Sequence, residues 1–263
     1  MSAAPIQQAY AQPGLYDLEH AAPERDIQFF IELAKSWRPR RILEIGCGNG
    51  RVTLPLAQTA RAWGGSVTGL EISPEMLSSA REKDQQGQVA WVEGNLIEWK
   101  GDDPFDLIIS PCGSLGHLVK LADQLECWRT AFGNLQPGGR FVISEPMARL
   151  PVLAESMQTP GRATVELDLD QHANGERLLR YRAVRYESHE QRVSIYYLYD
   201  RFEHSDAATR LASSYQGHVY FPRELQLLSV AAGLSVEAIW GNHECRPLQH
   251  TDHTIVLVSR RDW

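Results

Sequence analysis

The chain has 263 residues, of which 43% are hydrophobic and 22% charged, and a formal net charge of −7. This is the composition of a folded domain large enough to bury a sizeable core. The acidity argues against a nucleic-acid partner, because phosphates demand a positive face, and it favours a neutral or cationic small ligand.

Other bulk features concern location. No apolar run approaches the ~20 residues of a membrane span, and the N-terminus lacks the basic and apolar segments of a secretion signal. The four cysteines show no CxxC pair, which is typical of reduced thiols. We predict a cytoplasmic protein without a membrane segment, disulfides or structural zinc.

Strand and helix patterns alternate along the first half of the chain. The predicted strands are "RILEIG", "SVTGLEI", "VAWVEG", "FDLIIS" and "RFVISEP". The predicted helices are "DIQFFIELAKSW", "NGRVTLPLAQTARAW" with Pro55 as a kink, "SPEMLSSAREKDQ" with Ser73 as N-cap, and "LADQLECWRTAFGNL". This rhythm predicts a parallel, doubly wound sheet.

The pattern changes after Pro146. "RATVELDLD", "RLLRYRAVRYE" and "QRVSIYYLYDRFE" alternate polar and apolar residues, as antiparallel strands do. A helix, "FPRELQLLSVAAGL", and the strands "SVEAIW" and "HTIVLVSRR" follow. We predict a Rossmann-like, seven-stranded, mostly parallel sheet with helices on both faces and an antiparallel β insertion after the fifth strand.

The predicted organisation has four parts. Residues 1–25 form an N-terminal arm or lid, 26–146 the cofactor-binding core, 147–220 the insertion covering the active site, and 221–263 the end of the core. The insertion is rich in tyrosine and also contains Phe202. These aromatics either roof an acceptor pocket, form a dimer contact or, for most of them, bury the insertion's own inner face.

Three glycines follow the first strand, in Glu44-Ile45-Gly46-Cys47-Gly48-Asn49-Gly50. A dinucleotide fingerprint would need glycine at position 51, which is arginine, while Glu71 ends the second strand about twenty residues later, where an acid binds ribose hydroxyls. Glu44 would repel a pyrophosphate but favour an ammonium or sulfonium group. S-adenosylmethionine meets these demands; a simple tight turn is the alternative.

"LEIGCGNG", "VTGLEIS", "VEGNL", "FDLIIS" and "LQPGGRFVIS" together resemble class I S-adenosylmethionine-dependent methyltransferases. The resemblance implies that the loop holds the methionine end, that Glu71 binds ribose with Ile72 and Met76 along the adenine, and that Asn95 and Leu96 bind adenine. Asn95 replaces the usual aspartate, so this contact loses charge assistance. The implied cofactor residues are Glu44, Gly46, Cys47, Gly48, Asn49, Gly50, Glu71, Ile72, Met76, Asn95, Leu96 and Ser110.

The acceptor should arrive beyond the fourth strand, along "SPCGSLGHLVK", where His117 could orient or deprotonate an amine or hydroxyl. "SLGHL" and Leu15-Tyr16-Asp17 are similar to small-molecule N-methyltransferases, including those acting on amino sugars. The similarity implies that Tyr16 packs by the methionine part of the cofactor and His117 by the acceptor. A capping or packing role for His117 is the alternative.

We therefore predict an S-adenosylmethionine-dependent methyltransferase whose small-molecule acceptor is an amine, since a neutral amine is already a nucleophile. O-methylation of a small natural product and a non-catalytic, cofactor-binding regulatory subunit are the alternatives, and homodimerisation is a further expectation. "HECRPLQHTDH" contains His243, Glu244, Cys245, His250 and His253, but its spacing matches no standard metal site. We predict no metal.

Overall fold

The computed structural model describes residues 13–19, 25–171, 176–203 and 208–263. They fall into two compact units, one formed by Ala148–Val219 and the other by the described residues of Tyr10–Met147 together with Tyr220–Trp263. The predicted arm, residues 1–25, lies outside the described residues except for 13–19 and Arg25. No helix in the described ranges has the length and apolar character needed to cross a membrane.

Helices and strands are interspersed along the described residues. The helices are α1 (Pro13–Glu19), α2 (Arg25–Trp37), α3 (Thr53–Ala60), α4 (Pro74–Lys83), α5 (Leu121–Asn134), α6 (Leu150–Gln158) and α7 (Pro222–Ala231), with 3-10 turns at Arg61–Trp63 and Ser114–His117. The strands are β1 (Arg41–Ile45), β2 (Ser66–Glu71), β3 (Val89–Glu93), β4 (Phe105–Ser110), β5 (Leu135–Pro146), β6 (Ala163–Gln171), β7 (Glu176–Glu187), β8 (Arg192–Glu203), β9 (Ala208–His218), β10 (Ser235–Trp240) and β11 (Thr254–Arg260).

The larger unit contains a seven-stranded sheet in the order β10-β11-β5-β4-β1-β2-β3. Only β11 runs against its neighbours, because it pairs antiparallel with both β5 and β10. The predicted α/β fold is confirmed. The chain order reverses between β1 and β4, and ligands of open α/β sheets bind at the carboxyl ends of the strands at such a point.

Both faces of this sheet are buried, since the side chains of each strand alternate between two apolar cores. One core packs Trp128 of α5 and Leu225 of α7 against the sheet, and the other packs Phe30 of α2 and Leu56 of α3 against it. Strand interiors buried on both faces explain the near-continuous apolar runs of the sequence.

Ser73, Pro74 and Pro55 lie at the starts of two helices. Ser73 caps α4 by accepting a hydrogen bond from the N–H of Met76 at 3.3 Å, and Pro74 is the first helical residue. Pro55, predicted as a kink, is part of α3. It lies in the first turn of the helix, where a missing N–H removes no helical hydrogen bond.

The smaller unit consists of α6 and an antiparallel sheet in the order β6-β7-β8-β9. The antiparallel insertion is confirmed, whereas β9 and α6 were not predicted. Leu153 of α6 packs on Val193 and Ile195, and the ring of Tyr197 lies 5.9 Å from that of Tyr199 and 6.2 Å from that of Tyr215. These contacts are those expected if the aromatics bury the unit's own inner face.

Candidate functional site

The glycine loop connects β1 to α3 and requires glycine for two reasons. Gly46, Gly48 and Gly50 have φ values of 68°, 55° and 85°, a left-handed region that other residues rarely adopt. A Cβ on Gly46 would also lie 2.7 Å from the Cβ of Ser114. The loop is anchored on β2, because the N–H groups of Gly46 and the buried Cys47 both donate to the carbonyl of Leu70, at 2.8 and 3.1 Å.

Glu71, at the end of β2, is tied directly to this loop. Its Oε2 accepts a hydrogen bond from the N–H of Gly48 at 2.9 Å. Its Oε1 accepts from the N–H groups of Ile72 at 2.9 Å and Ser73 at 3.0 Å. Because β1 and β2 pair in parallel with Ile45 opposite Leu70, the carboxylate emerges where the loop begins. The structure thus brings together the two features on which the sequence prediction depended.

Glu44 is the second acid at this edge, one strand away, and only 2% of it is exposed. Its Oε2 accepts a hydrogen bond from the hydroxyl of Thr53 at 2.7 Å. Burial raises the pKa of Glu44 to about 8, against the lowering effects of Thr53 and of the Arg51 charge. At neutral pH the carboxyl is therefore mostly protonated, and a cation bound beside it would favour the ionised form.

The residues expected along the adenine lie at the ends of β2 and β3. Gly94 donates its N–H to the carbonyl of Glu71 at 3.0 Å, which holds the following Asn95 next to β2. The side-chain oxygen of Asn95 accepts from the N–H of Ile97 at 3.2 Å, and Leu96 packs at the edge of the core. Ile72 is 56% exposed whereas Met76 is 1% exposed, so Ile72 offers the accessible apolar surface.

Helix α1 is held against the glycine loop by Asp17. The amide of Asn49 donates to Asp17 Oδ1 at 2.7 Å, and Lys83 of α4 lies 2.8 Å from Asp17 Oδ2. The neighbouring Tyr16 hydroxyl interacts with Arg51, and burial raises the pKa of Tyr16 to about 12.

An ion-pair network that the sequence analysis did not identify lies beside Tyr16. The guanidinium of Arg51 binds Asp26, with Nη1 3.1 Å from Oδ1, and the thiol of Cys112 donates to Asp26 Oδ2 at 2.9 Å. Burial acts to raise the pKa of Asp26, but the hydrogen bonds from Arg51 and Cys112 outweigh it and lower the pKa to about 2. The sequence signal for this network was Arg51, which stands where a dinucleotide fingerprint would need glycine.

The acceptor loop, residues 111–118, begins after β4 and touches the glycine loop. The Ser114 hydroxyl donates to the Gly46 carbonyl at 3.3 Å, and His117 ends the 3-10 turn that starts at Ser114. Burial lowers the pKa of His117 to about 4, so its imidazole is neutral at physiological pH. Ser110, the last residue of β4, is fully buried.

Glu145 lies at the end of β5, and His243 contacts this strand end. The sequence analysis did not assign either residue to this region. Glu145, 2% exposed, accepts a hydrogen bond from the N–H of Leu115 at 3.2 Å, and burial raises its pKa to about 8. Nε2 of His243 lies 3.0 Å from the Ser144 hydroxyl. In the parts of the chain with described coordinates, His, Cys, Asp and Glu side chains form no group of three or more suited to a metal ion.

Comparisons with known proteins agree with this geometry. Residues 42–139 match a family described as "Methyltransferase domain". A trans-aconitate 2-methyltransferase of Streptomyces coelicolor is 33% identical over 115 residues, which cover 41% of this chain and 35% of that protein. The chain thus spans about two fifths or less of the length of these curated relatives, since it covers 35% of this one and 39% of another.

Two solved structures are similar over nearly the whole chain. The CcbJ methyltransferase from Streptomyces caelestis has 24% identity and a TM-score of 0.74, with 92% of each chain covered. SAM-bound CalS10, an amino pentose methyltransferase from Micromonospora echinaspora, has 16% identity and a TM-score of 0.73, with 94% of this chain and 96% of that chain covered. At these identities the similarity establishes the fold.

Proposed function

We propose that this protein transfers the methyl group of S-adenosylmethionine to a small molecule and that the acceptor atom is an amine nitrogen; the match of residues 42–139 to a methyltransferase-domain family supports the proposal. One observation carries the proposal. The Glu71 carboxylate accepts the Gly48 N–H at 2.9 Å, so an acid suited to ribose lies against a bare backbone loop, with the buried Glu44 on the adjacent strand.

The residues at this edge fit the cofactor. A Cβ on Gly48 would meet nothing within 4 Å, which leaves space beside the loop backbone. The buried Oδ1 of Asn49 and Oγ of Ser110 have no hydrogen-bond partner among the residues described, and such orphaned groups are uncommon unless a ligand or water serves them. S-adenosylmethionine, when bound, supplies an electrophilic methyl group on a sulfonium.

Each residue has a distinct part in holding such a ligand. Glu71 would accept hydrogen bonds from the ribose hydroxyls, and Glu44 would favour the cationic methionine end. Asn95 and Leu96 would bind the adenine, with Ile72 against its face. Tyr16, on α1, would pack at the methionine end.

The state of His117 supports nitrogen as the acceptor atom. An imidazole whose pKa is lowered to about 4 by burial is a weak base, and a hydroxyl needs a strong one to become a nucleophile. A neutral amine needs only alignment, which His117 can provide through a hydrogen bond. The name of CalS10 as an amino pentose methyltransferase adds support from a similar fold.

O-methylation is the second candidate, because trans-aconitate, in the name of one relative, is a carboxylic acid. The test is incubation with deuterated-methyl S-adenosylmethionine and a panel of paired small molecules that differ only in an amino, hydroxyl or carboxyl group. Mass spectrometry should find the label on the amines, and the Glu71→Ala variant should reduce it strongly. Label on the oxygen analogues alone would overturn the assignment to nitrogen, and cofactor binding without any transfer would favour a regulatory subunit.

A further inference from the structure

We propose that Glu145 is the positioning residue for the acceptor loop, residues 111–118, and thereby for His117. The inference rests on the proposed function, in which His117 faces the acceptor.

The first observation is that Glu145 and Tyr220 hold the same residue of the loop. Glu145 Oε1 accepts the Leu115 N–H at 3.2 Å, and the Tyr220 hydroxyl donates to the Leu115 carbonyl at 3.2 Å. Leu115 is fully buried, and both of its backbone groups bond to side chains from outside the loop, although its carbonyl also accepts the Leu118 N–H at 3.0 Å. His117 follows two residues later.

The second observation is that the loop backbone runs over the Glu145 carboxyl. The Gly113 N–H donates to the Ser144 carbonyl at 2.9 Å. A Cβ on Gly113 would lie 2.8 Å from Pro146 Cδ and 3.5 Å from Glu145 Oε2. Opening of the loop would therefore hydrate the carboxyl, and closing buries it again.

Burial makes the closed loop sensitive to protonation. It raises the pKa of Glu145 to about 8, whereas a hydrated glutamate titrates near its ordinary value of about 4.3. The closed loop is thus fully stabilised below that ordinary pKa. It loses stability steadily as the pH rises to about 8, because only the open form ionises readily.

Two titratable groups interact electrostatically with this carboxyl, and both keep one charge state over that range. Burial raises the pKa values of Cys127 on α5 and of Tyr220, and Glu145 adds to both shifts. His117 has a pKa near 4, so it is neutral above pH 5.5, and Glu224 of α7 adds to the rise in the pKa of Tyr220. His243, whose Nε2 lies 3.0 Å from the Ser144 hydroxyl, is present in both the wild type and a Glu145→Gln variant, so a difference in pH dependence between these two proteins reports on Glu145.

Amide hydrogen exchange of the acceptor loop between pH 5.5 and 7.5 tests the proposal. Intrinsic exchange accelerates about tenfold per pH unit, and Glu145 should add up to another tenfold through the opening equilibrium. The logarithm of the exchange rate should then rise with a slope of about two in the wild type. It should rise with a slope of about one in Glu145→Gln, which accepts the Leu115 N–H but cannot ionise.

Tyr220→Phe is the matched control. It removes the side-chain hydrogen bond to the Leu115 carbonyl, so exchange should be faster at every pH while the steep slope remains. Equal slopes in the wild type and Glu145→Gln would overturn the proposal, and so would a slope of about one in Tyr220→Phe. The measurement needs no methyl acceptor, so a failure to find methyl transfer would leave its outcome intact.

Discussion

Replacing Glu71 with alanine should weaken the binding of S-adenosylmethionine by about two orders of magnitude. The Glu71 carboxylate has both oxygens at the loop edge, where it already accepts three backbone N–H groups, from Gly48, Ile72 and Ser73. Hydrogen bonds to a charged acceptor contribute about 1.5–3 kcal/mol each. Loss of the bonds to ribose, with the loosening of Gly48, should cost about 3 kcal/mol, or about 150-fold in Kd.

Isothermal titration calorimetry at fixed pH and salt measures this change. Glu75→Ala is the matched control, because it removes the same charge nearby, while Glu75 Oε2 accepts a hydrogen bond from the Ser73 hydroxyl at 3.0 Å. We expect Glu75→Ala to bind within about twofold of the wild type, since exposed charges are strongly screened. A Kd for Glu71→Ala within threefold of the wild type, in a variant with an unchanged melting temperature, would refute the role given to Glu71.

Three further predictions concern other parts of the site. Because the Glu44 pKa is raised to about 8 and a bound cation favours the carboxylate, wild-type affinity for S-adenosylmethionine should fall by up to about tenfold per pH unit below pH 8. Titrations from pH 6 to 9 should show this component missing in Glu44→Gln, and its persistence would exclude Glu44. His117→Ala should lower kcat by roughly 100-fold, because the acceptor amine loses its alignment, and change the cofactor Kd by less than about threefold; full activity would leave His117 a packing residue. Asp17→Ala should lower the free energy of unfolding by about 2 kcal/mol in chemical denaturation, because it leaves the amide of buried Asn49 unpaired. Lys83→Ala breaks the exposed ion pair with Asp17 and should lower it by less than about 1 kcal/mol. Equal losses in the two variants would contradict this prediction.

The sequence was sufficient to predict the glycine loop and its acid. Parallel strands that alternate with helices present their carboxyl ends at one edge, so Gly48 and Glu71 could be placed together from spacing alone. The buried strands could also be predicted, because both faces of the sheet are covered and the strands are continuous apolar runs. Strand β9 was missed, since its serines and alanines give a weak alternating pattern.

The charged and buried groups around the loop could not be predicted in this way. Cys112 and Asp26 are 86 residues apart in sequence, and Ser144 and His243 are 99 apart. Their contacts depend on the strand order and on loop conformations that no local pattern encodes. The sequence predicts Glu145 at the end of a strand but does not predict its burial, because that burial arises only when the acceptor loop folds over it.

The position of β11 has a consequence for folding during synthesis. This strand is translated after the other ten, yet it lies inside the sheet, between β5 and β10. Ile255 and Leu257 complete one core, and Val256 and Val258 the other. Packing on both sides of the sheet therefore stays incomplete until residues 254–260 have left the ribosome, and until then the nascent α/β unit carries an exposed apolar gap.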